Sequence, residues 1–130
     1  AASALQSQST SNVCSFAQQG AVAALTGPRD CVQTMAESYN RRRSFLVSGL
    51  QAMDGTTLVP PQGAFYAFPQ LPDGCGDSMN FCRRALEEEG LAIVPGAAFG
   101  DDRCIRLSCA VSRETITDGL HRLNRLLKAG

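Results

Sequence analysis

Arg106 is the residue whose type and setting best suit specific chemistry, because it interrupts a short apolar run between Ile105 and Leu107. A guanidinium at such a place can bind a carboxylate through two parallel hydrogen bonds, a geometry that a lysine ammonium cannot match. The alternative is an arginine that points outward from a sheet and has no ligand. The residues by themselves leave both interpretations open.

The other reactive side chains form no recognisable catalytic set. His121 is the single histidine and Lys128 the single lysine, so neither a Ser-His-Asp nor a Cys-His arrangement is expected. The six cysteines contain no C-x-x-C pair, and we therefore expect free thiols that pack as small apolar groups, with no metal site. The arginine run 41–43 and the glutamate run 87–89 are typical of solvated helix faces.

Composition narrows the class of protein further. The sequence has 130 residues, of which 44% are hydrophobic and 18% charged, and its formal net charge is zero. A neutral chain has no electrostatic reason to bind nucleic acid, since such binding depends largely on neutralising phosphates. No apolar run approaches the ~20 residues that span a bilayer, and residues 1–12 lack the basic start and apolar centre of a secretory signal. We expect a cytoplasmic protein that binds neither nucleic acid nor membrane.

The elements that would position Arg106 follow from the hydrophobic pattern. Apolar residues at helical spacing predict helices over about residues 12–25, with Ser11 or Asn12 as N-cap, and over 29–53, 78–89 and from the Ser112 cap onward. Met79, Cys82 and Leu86 are predicted to face inward. Short strands are predicted at 57–59, 64–68, 91–94 and 105–110, and residues 1–11 are predicted to be irregular. This order predicts an α+β fold, in which helices cover a small mixed or antiparallel sheet.

Four strings of the sequence resemble a known family when taken together and in order. They are Q-S-Q-S-T-S-N at 6–12, G-A-F-Y at 63–66, V-P-G-A-A-F-G at 94–100 and I-R-L-S-C-A at 105–110. With this spacing they resemble the carboxy-terminal part of the class I/II pyridoxal-phosphate-dependent aminotransferases, close to the aspartate aminotransferase branch. The resemblance covers essentially the whole chain. It implies the small-domain fold of fold-type I aminotransferases, with residues 1–52 as a helical segment bordering a missing large domain and 53–130 as the small carboxy-terminal domain.

The resemblance also implies roles for individual residues. Arg106 matches the arginine that holds the substrate α-carboxylate, and Phe65 and Tyr66 match an aromatic pair near the substrate, with core packing as the alternative for both. Ser11 and Asn12 match a segment that approaches the neighbouring subunit's active site, with helix capping as the alternative.

The same resemblance implies a homodimer that uses pyridoxal phosphate. The family's Schiff-base lysine and its other cofactor-binding residues have no match here, because Lys128 lies in a terminal helix outside any such motif. We therefore expect the cofactor-binding residues to lie upstream of Ala1, and this chain to be an inactive fragment when alone.

Three functional hypotheses remain at this point. The first is part of an aminotransferase that moves an amino group between an aspartate- or glutamate-like amino acid and a 2-oxo acid. The alternative is a non-catalytic α+β module that binds an amino acid or a protein partner. A third, a purely structural dimerisation domain, would show self-association without ligand binding.

Overall fold

The computed structural model describes residues 1–129 and contains five helices and a small antiparallel sheet within that range. The helices are α1 (Ala2–Ser9), α2 (Ser15–Thr26), α3 (Asp30–Gln51), α4 (Ser78–Glu89) and α5 (Arg113–Ala129), and the strands are β1 (Tyr66–Ala67), β2 (Val94–Pro95) and β3 (Ile105–Ser108). A 3-10 turn, Gly96–Phe99, directly follows β2. The predicted α+β class is confirmed. None of the helices within residues 1–129 has the length and apolar character needed to cross a membrane.

The chain divides into two compact units, Ala1–Thr34 and a second that begins at Met35. The proposed division into residues 1–52 and 53–130, which refers to a large domain, stays a prediction.

In the first unit the irregular lead-in was a wrong prediction, because Ala2–Ser9 is helical. α1 has no apolar stripe and buries no residue, so packing does not explain the helix. Its Ala, Leu and Gln residues favour helix by intrinsic propensity. Neither Ser11 nor Asn12 caps α2, whose N-cap is Cys14 with no side-chain cap bond. No residue of α1 or α2 is buried.

The sheet of the second unit has the strand order β1, β3, β2, with both pairs antiparallel. Tyr66 is paired with Ser108 on one side of β3, and Val94 with Arg106 on the other. The strands predicted at 57–59 and 64–68 shrink to a single bridge between Thr57 and Gln70 and to the two residues of β1. Prolines at 60, 61 and 69 lack the amide hydrogen that a longer ladder would need.

One face of the sheet contributes to a core that α3, α4 and α5 complete. Its members are Leu46, Leu50, Met53, Ala67, Leu71, Phe81, Cys82, Ala85, Ile105, Leu107, Cys109, Ile116, Leu120, Leu123 and Leu126. Ile105 and Leu107 of β3 are buried, as is Cys109 directly after the strand, whereas Ser108 is exposed. The predicted inward face of α4 is wrong for Met79 and Leu86, which are exposed, whereas Phe81 and Ala85 are buried in their place.

The helix ends follow capping chemistry. The Asp77 carboxylate accepts a 2.8 Å bond from the Asn80 amide at the start of α4, and Gly90 ends that helix in the left-handed conformation with φ 61°. Ser112 caps α5 as predicted, with its hydroxyl accepting from the Thr115 amide at 3.2 Å. These caps fix where α4 and α5 begin, and therefore how the connections around β2 and β3 run.

Candidate functional site

Arg106 lies on the face of β3 opposite the core. Its neighbours Ile105 and Leu107 are buried, so strand alternation directs the arginine to the other side of the sheet. Backbone bonds from the Ile105 amide to the Pro69 carbonyl and from the Cys109 amide to the Phe65 carbonyl, 3.1 and 2.8 Å long, extend the β1 register in both directions. Arg106 is therefore flanked by β1 and its extension on one side and by Val94 on the other.

Two aromatic rings hold the Arg106 guanidinium. Its central carbon lies 4.2 Å from the centre of the Tyr66 ring and 4.4 Å from that of Phe99. Both distances are within the range of cation–π attraction, which favours the charged planar group over a ring face. The Phe99 ring is braced edge-on by Phe68, at a centroid distance of 6.1 Å. The rings fix the plane of the guanidinium without neutralising its charge.

The Arg106 guanidinium is short of hydrogen-bond partners. Its Nε atom is buried and has no partner among residues 1–129, and the side chain forms no ion pair within that range. A buried donor left without an acceptor costs about 1–3 kcal/mol, and more when it is charged. An anionic oxygen ligand would remove that cost, and a carboxylate can accept two parallel bonds from one guanidinium. An outward-facing arginine without a ligand would leave this donor unsatisfied.

Of the two predicted aromatic residues, Tyr66 contacts the Arg106 guanidinium and Phe65 packs against Tyr66. Phe65 is 39% exposed, and its ring centre lies 4.4 Å from that of Tyr66 and 6.2 Å from that of Tyr39. Phe65 and Tyr39 also line an open cavity of about 390 Å³. Ala64, just before Phe65, has φ 56°, a conformation that costs a non-glycine residue energy and that often marks functional segments. The strained backbone at Ala64 sets the direction in which the Phe65 and Tyr66 side chains extend.

The other predicted site residues belong elsewhere in the chain. Ser11 and Asn12 are exposed and lie in the connection between α1 and α2, in the first compact unit. Ser11 has φ 57°, which explains why the helix does not run through it. Their role at a neighbouring active site stays a prediction. The structure thus brings together Arg106, Tyr66 and Phe65.

Sequence reasoning missed two contributors to this site, Phe99 and Tyr39. Phe99 lies within the V-P-G-A-A-F-G string, so the motif itself pointed to the segment but not to the ring. Tyr39 lies on α3, and the Arg42 guanidinium covers its ring at 4.4 Å. A search for aromatic residues near every candidate arginine would have considered both.

The cysteines play no part in this cluster. All six are free; Cys82, Cys104 and Cys109 are buried, and burial raises the pKa of each of these thiols. The expectation of small apolar packing therefore holds for these three and is wrong for Cys14 and Cys31, which are exposed. In the described part of the chain, no three His, Cys, Asp or Glu side chains are grouped as metal ligands.

Fold and site together define an α+β protein domain in which one arginine guanidinium on the open face of the sheet lies against two aromatic rings. The description "Aminotransferase class I and II" belongs to the family model that matches residues 1–123. The chain is a member of that family.

Individual relatives agree with this assignment. The chain is 41% identical over 136 residues to an aspartate aminotransferase of Pinus pinaster, covering 95% of this chain and 28% of that protein. It is 39% identical over 129 residues to the aspartate aminotransferase of Bacillus subtilis (strain 168), covering 95% and 33%. The chain thus spans about a third of the length of these relatives.

Solved structures give the same result for the fold. The crystal structure of an aspartate aminotransferase from Rhizobium meliloti superposes with a TM-score of 0.88 and 36% identity, covering 96% of this chain and 34% of that one. An aromatic aminotransferase from Pyrococcus horikoshii OT3 gives a TM-score of 0.88 at 34% identity with the same coverage.

Proposed function

We propose that this chain is the carboxy-terminal part of an aminotransferase, in which Arg106 binds the α-carboxylate shared by amino acid and 2-oxo acid substrates. The observation that carries the proposal is the Arg106 guanidinium itself, held between Tyr66 and Phe99 with a buried, unpartnered Nε. The naming of the relatives as aspartate aminotransferases supports an aspartate- or glutamate-like substrate.

The geometry explains why an arginine serves this role. The ring faces leave the edge of the guanidinium, where its N–H groups point, as the direction from which a ligand can approach. A carboxylate bound there with two parallel bonds is fixed in both position and plane, so the α-carbon attached to it is oriented as well. Phe65, next to Tyr66, would contact the rest of the substrate on the side of the open cavity.

Pyridoxal phosphate is the cofactor that the family implies, and it supplies the electron sink for this chemistry when it is bound. The residues of this chain do not fit its covalent attachment. The single lysine, Lys128, is exposed in the last turn of α5 and is not among the residues that contact Arg106 or line the adjoining cavity. No step of the reaction is therefore assigned to a lysine of this chain. We further propose that the whole protein is a cytoplasmic homodimer whose cofactor-binding residues lie outside residues 1–130.

A chimera tests the proposal. Residues 1–130 would replace the matching third of the Bacillus subtilis aspartate aminotransferase, and transamination would be measured with several amino acids and 2-oxo acids. We expect an active chimera. Arg106→Lys should lower kcat/KM at least ~10-fold, or ~1.4 kcal/mol, for every substrate, because the α-carboxylate is common to all of them.

Arg103→Lys is the matched control, since Arg103 is an exposed arginine paired with Asp101 at 2.8 Å. It should leave kcat/KM nearly unchanged, and the absorbance of the bound cofactor should be the same in both variants. A silent Arg106→Lys, or a loss confined to dicarboxylic substrates, would remove the α-carboxylate role. Amino-acid binding by the unmodified 130-residue chain together with an inactive chimera would favour the non-catalytic module.

A further inference from the structure

Ser78 is a fully buried polar residue whose bonding reaches beyond its own helix. It has 0% exposure and lies at the first position of α4. Its hydroxyl donates to Asp102 Oδ1 at 2.6 Å, and the same hydroxyl oxygen accepts from the Ala97 amide at 3.1 Å. The Ser78 amide also donates to Asp102 Oδ1, at 3.0 Å. The side chain therefore connects three segments: the start of α4, residue 97 and residue 102.

Residue 97 belongs to the turn that carries Phe99, one of the two rings that contact the Arg106 guanidinium. The turn Gly96–Phe99 starts where the Gly96 amide bonds the Cys104 carbonyl at 2.8 Å and ends at Gly100, which has φ 90°. Ala97 is its second residue, and Phe99 follows two positions later. Fixing the Ala97 amide therefore fixes the turn from which the Phe99 ring extends over Arg106.

We propose that Ser78 and Asp102 are positioning residues for the carboxylate-binding arginine, because their hydrogen bonds hold the turn that keeps Phe99 against the Arg106 guanidinium. Within residues 1–129, neither residue forms a hydrogen bond or an ion pair with Arg106. Asp102 orients the Ser78 hydroxyl, and that hydroxyl in turn holds the Ala97 amide. The consequence for substrate binding rests on the function proposed above, whereas the positioning itself concerns only groups within this chain.

A purely structural role for Ser78 would have a different signature. Removing the hydroxyl leaves the Ala97 amide, whose bond to Ser78 is part-buried, without its acceptor, and this destabilises the fold whatever else the bond does. Only a positioning role also changes the surroundings of the Arg106 guanidinium. Measurements must therefore report on the guanidinium and not on stability alone.

Nuclear magnetic resonance of the 130-residue chain provides that report. The Arg106 Nε–Hε signal, assigned by its loss in Arg106→Lys, should be displaced by the ring currents of Tyr66 and Phe99. Ser78→Ala should move this signal in the same direction as Phe99→Leu does. In the Phe99→Leu background, Ser78→Ala should move it no further, because the ring through which Ser78 acts is already gone.

Ser112→Ala is the matched control. Ser112 also accepts a backbone amide bond at the start of a helix, from Thr115 at 3.2 Å, and it bonds no residue of the Gly96–Phe99 turn. This variant should leave the Arg106 signal in place. If Ser78→Ala does not fold, Asp102→Ala takes its place, with Asp102→Asn as the conservative variant that keeps an acceptor oxygen and should restore the signal. An unmoved signal in Ser78→Ala or Asp102→Ala, or an equal shift in the Phe99→Leu background, overturns the proposal.

Kinetics of the chimera test the consequence for binding. Ser78→Ala should raise KM for amino acids and 2-oxo acids alike by about fivefold, the equivalent of the ~1 kcal/mol net value of one hydrogen bond, with kcat nearly unchanged. An unchanged KM in a chimera that Arg106→Lys impairs would refute the positioning role. A chimera in which Arg106→Lys is silent would refute the proposed function instead, and the resonance experiment would still decide whether Ser78 positions the guanidinium.

Discussion

Replacing Gly96 by alanine should disrupt the turn beside Arg106 more than its size suggests. A Cβ at this position would come closer than 3.0 Å to the backbone oxygens of both Cys104 and Asp101, and backbone atoms cannot rotate away as a side chain can. The turn would have to open, which costs about 1–3 kcal/mol as overpacking. Opening also weakens the 2.8 Å bond from the Gly96 amide to the Cys104 carbonyl, worth about 1 kcal/mol. The sum is a destabilisation of about 2–4 kcal/mol.

Urea unfolding of the 130-residue chain, followed by far-ultraviolet circular dichroism, measures this loss. For a domain of this size the loss corresponds to a fall in Tm of about 8 °C or more. Gly63→Ala is the control, because a Cβ there meets no heavy atom of the described residues within 4 Å, and it should be neutral or stabilising by up to ~1 kcal/mol. Equal stability of Gly96→Ala and the unmodified chain would refute the steric reasoning, as would a comparable loss in Gly63→Ala.

Three further outcomes follow from titration, thiol exposure and helix burial. Hydrogen bonds from Arg103 lower the pKa of Asp101 to about 2. The stability that this pair adds should therefore be complete above about pH 4 and lost as the pH falls through 2. Asp101→Asn should remove that part of the pH dependence of the urea midpoint. Iodoacetamide at mildly alkaline pH should modify the exposed Cys14 and Cys31 in the native chain but spare Cys82, whose pKa burial raises to about 11, until the chain unfolds. Amides of α2, a 12-residue helix that buries no residue, should exchange hydrogen far faster than those of α5, and strong, concentration-independent protection of α2 would contradict this.

Periodicity predicted the helices α4 and α5 well, because each buries one face, whereas it overestimated the length of the short strands. α4 shows the limit of such reasoning. Met79 and Leu86 are seven residues apart and Phe81 and Ala85 four apart, so both pairs suit a helical stripe. The choice between two stripes depends on which side chains fit the space left by α5 and the sheet, and that space is a property of the packed structure. Sequence spacing therefore predicted the helix but not its rotation.

The residues of the candidate site also differ in whether the sequence alone could reveal them. Arg106 could be found because it breaks a local pattern, and a local pattern is what a sequence displays. Ser78 could not, because its bond to the Ala97 amide joins separate elements of the structure. Phe99 lay inside a recognised string, but only the folded chain shows that its ring lies against the arginine. A buried serine that bonds a distant turn has the same sequence appearance as an ordinary residue at a helix start.

The position of Arg106 depends on the core more than on any residue of the site. Side chains alternate along β3, so a slip of one residue against its neighbours would exchange the core and open faces. Such a slip would bury the guanidinium among α3, α4 and α5 and expose Ile105 and Leu107, an arrangement far too costly to be populated. The apolar neighbours that pack into the core thereby fix which way the arginine points, and the Tyr66 and Phe99 rings then need only to fix its plane. Substitutions in the core of β3 should consequently displace the Arg106 guanidinium through the register of the strand, at residues on the opposite face of the sheet.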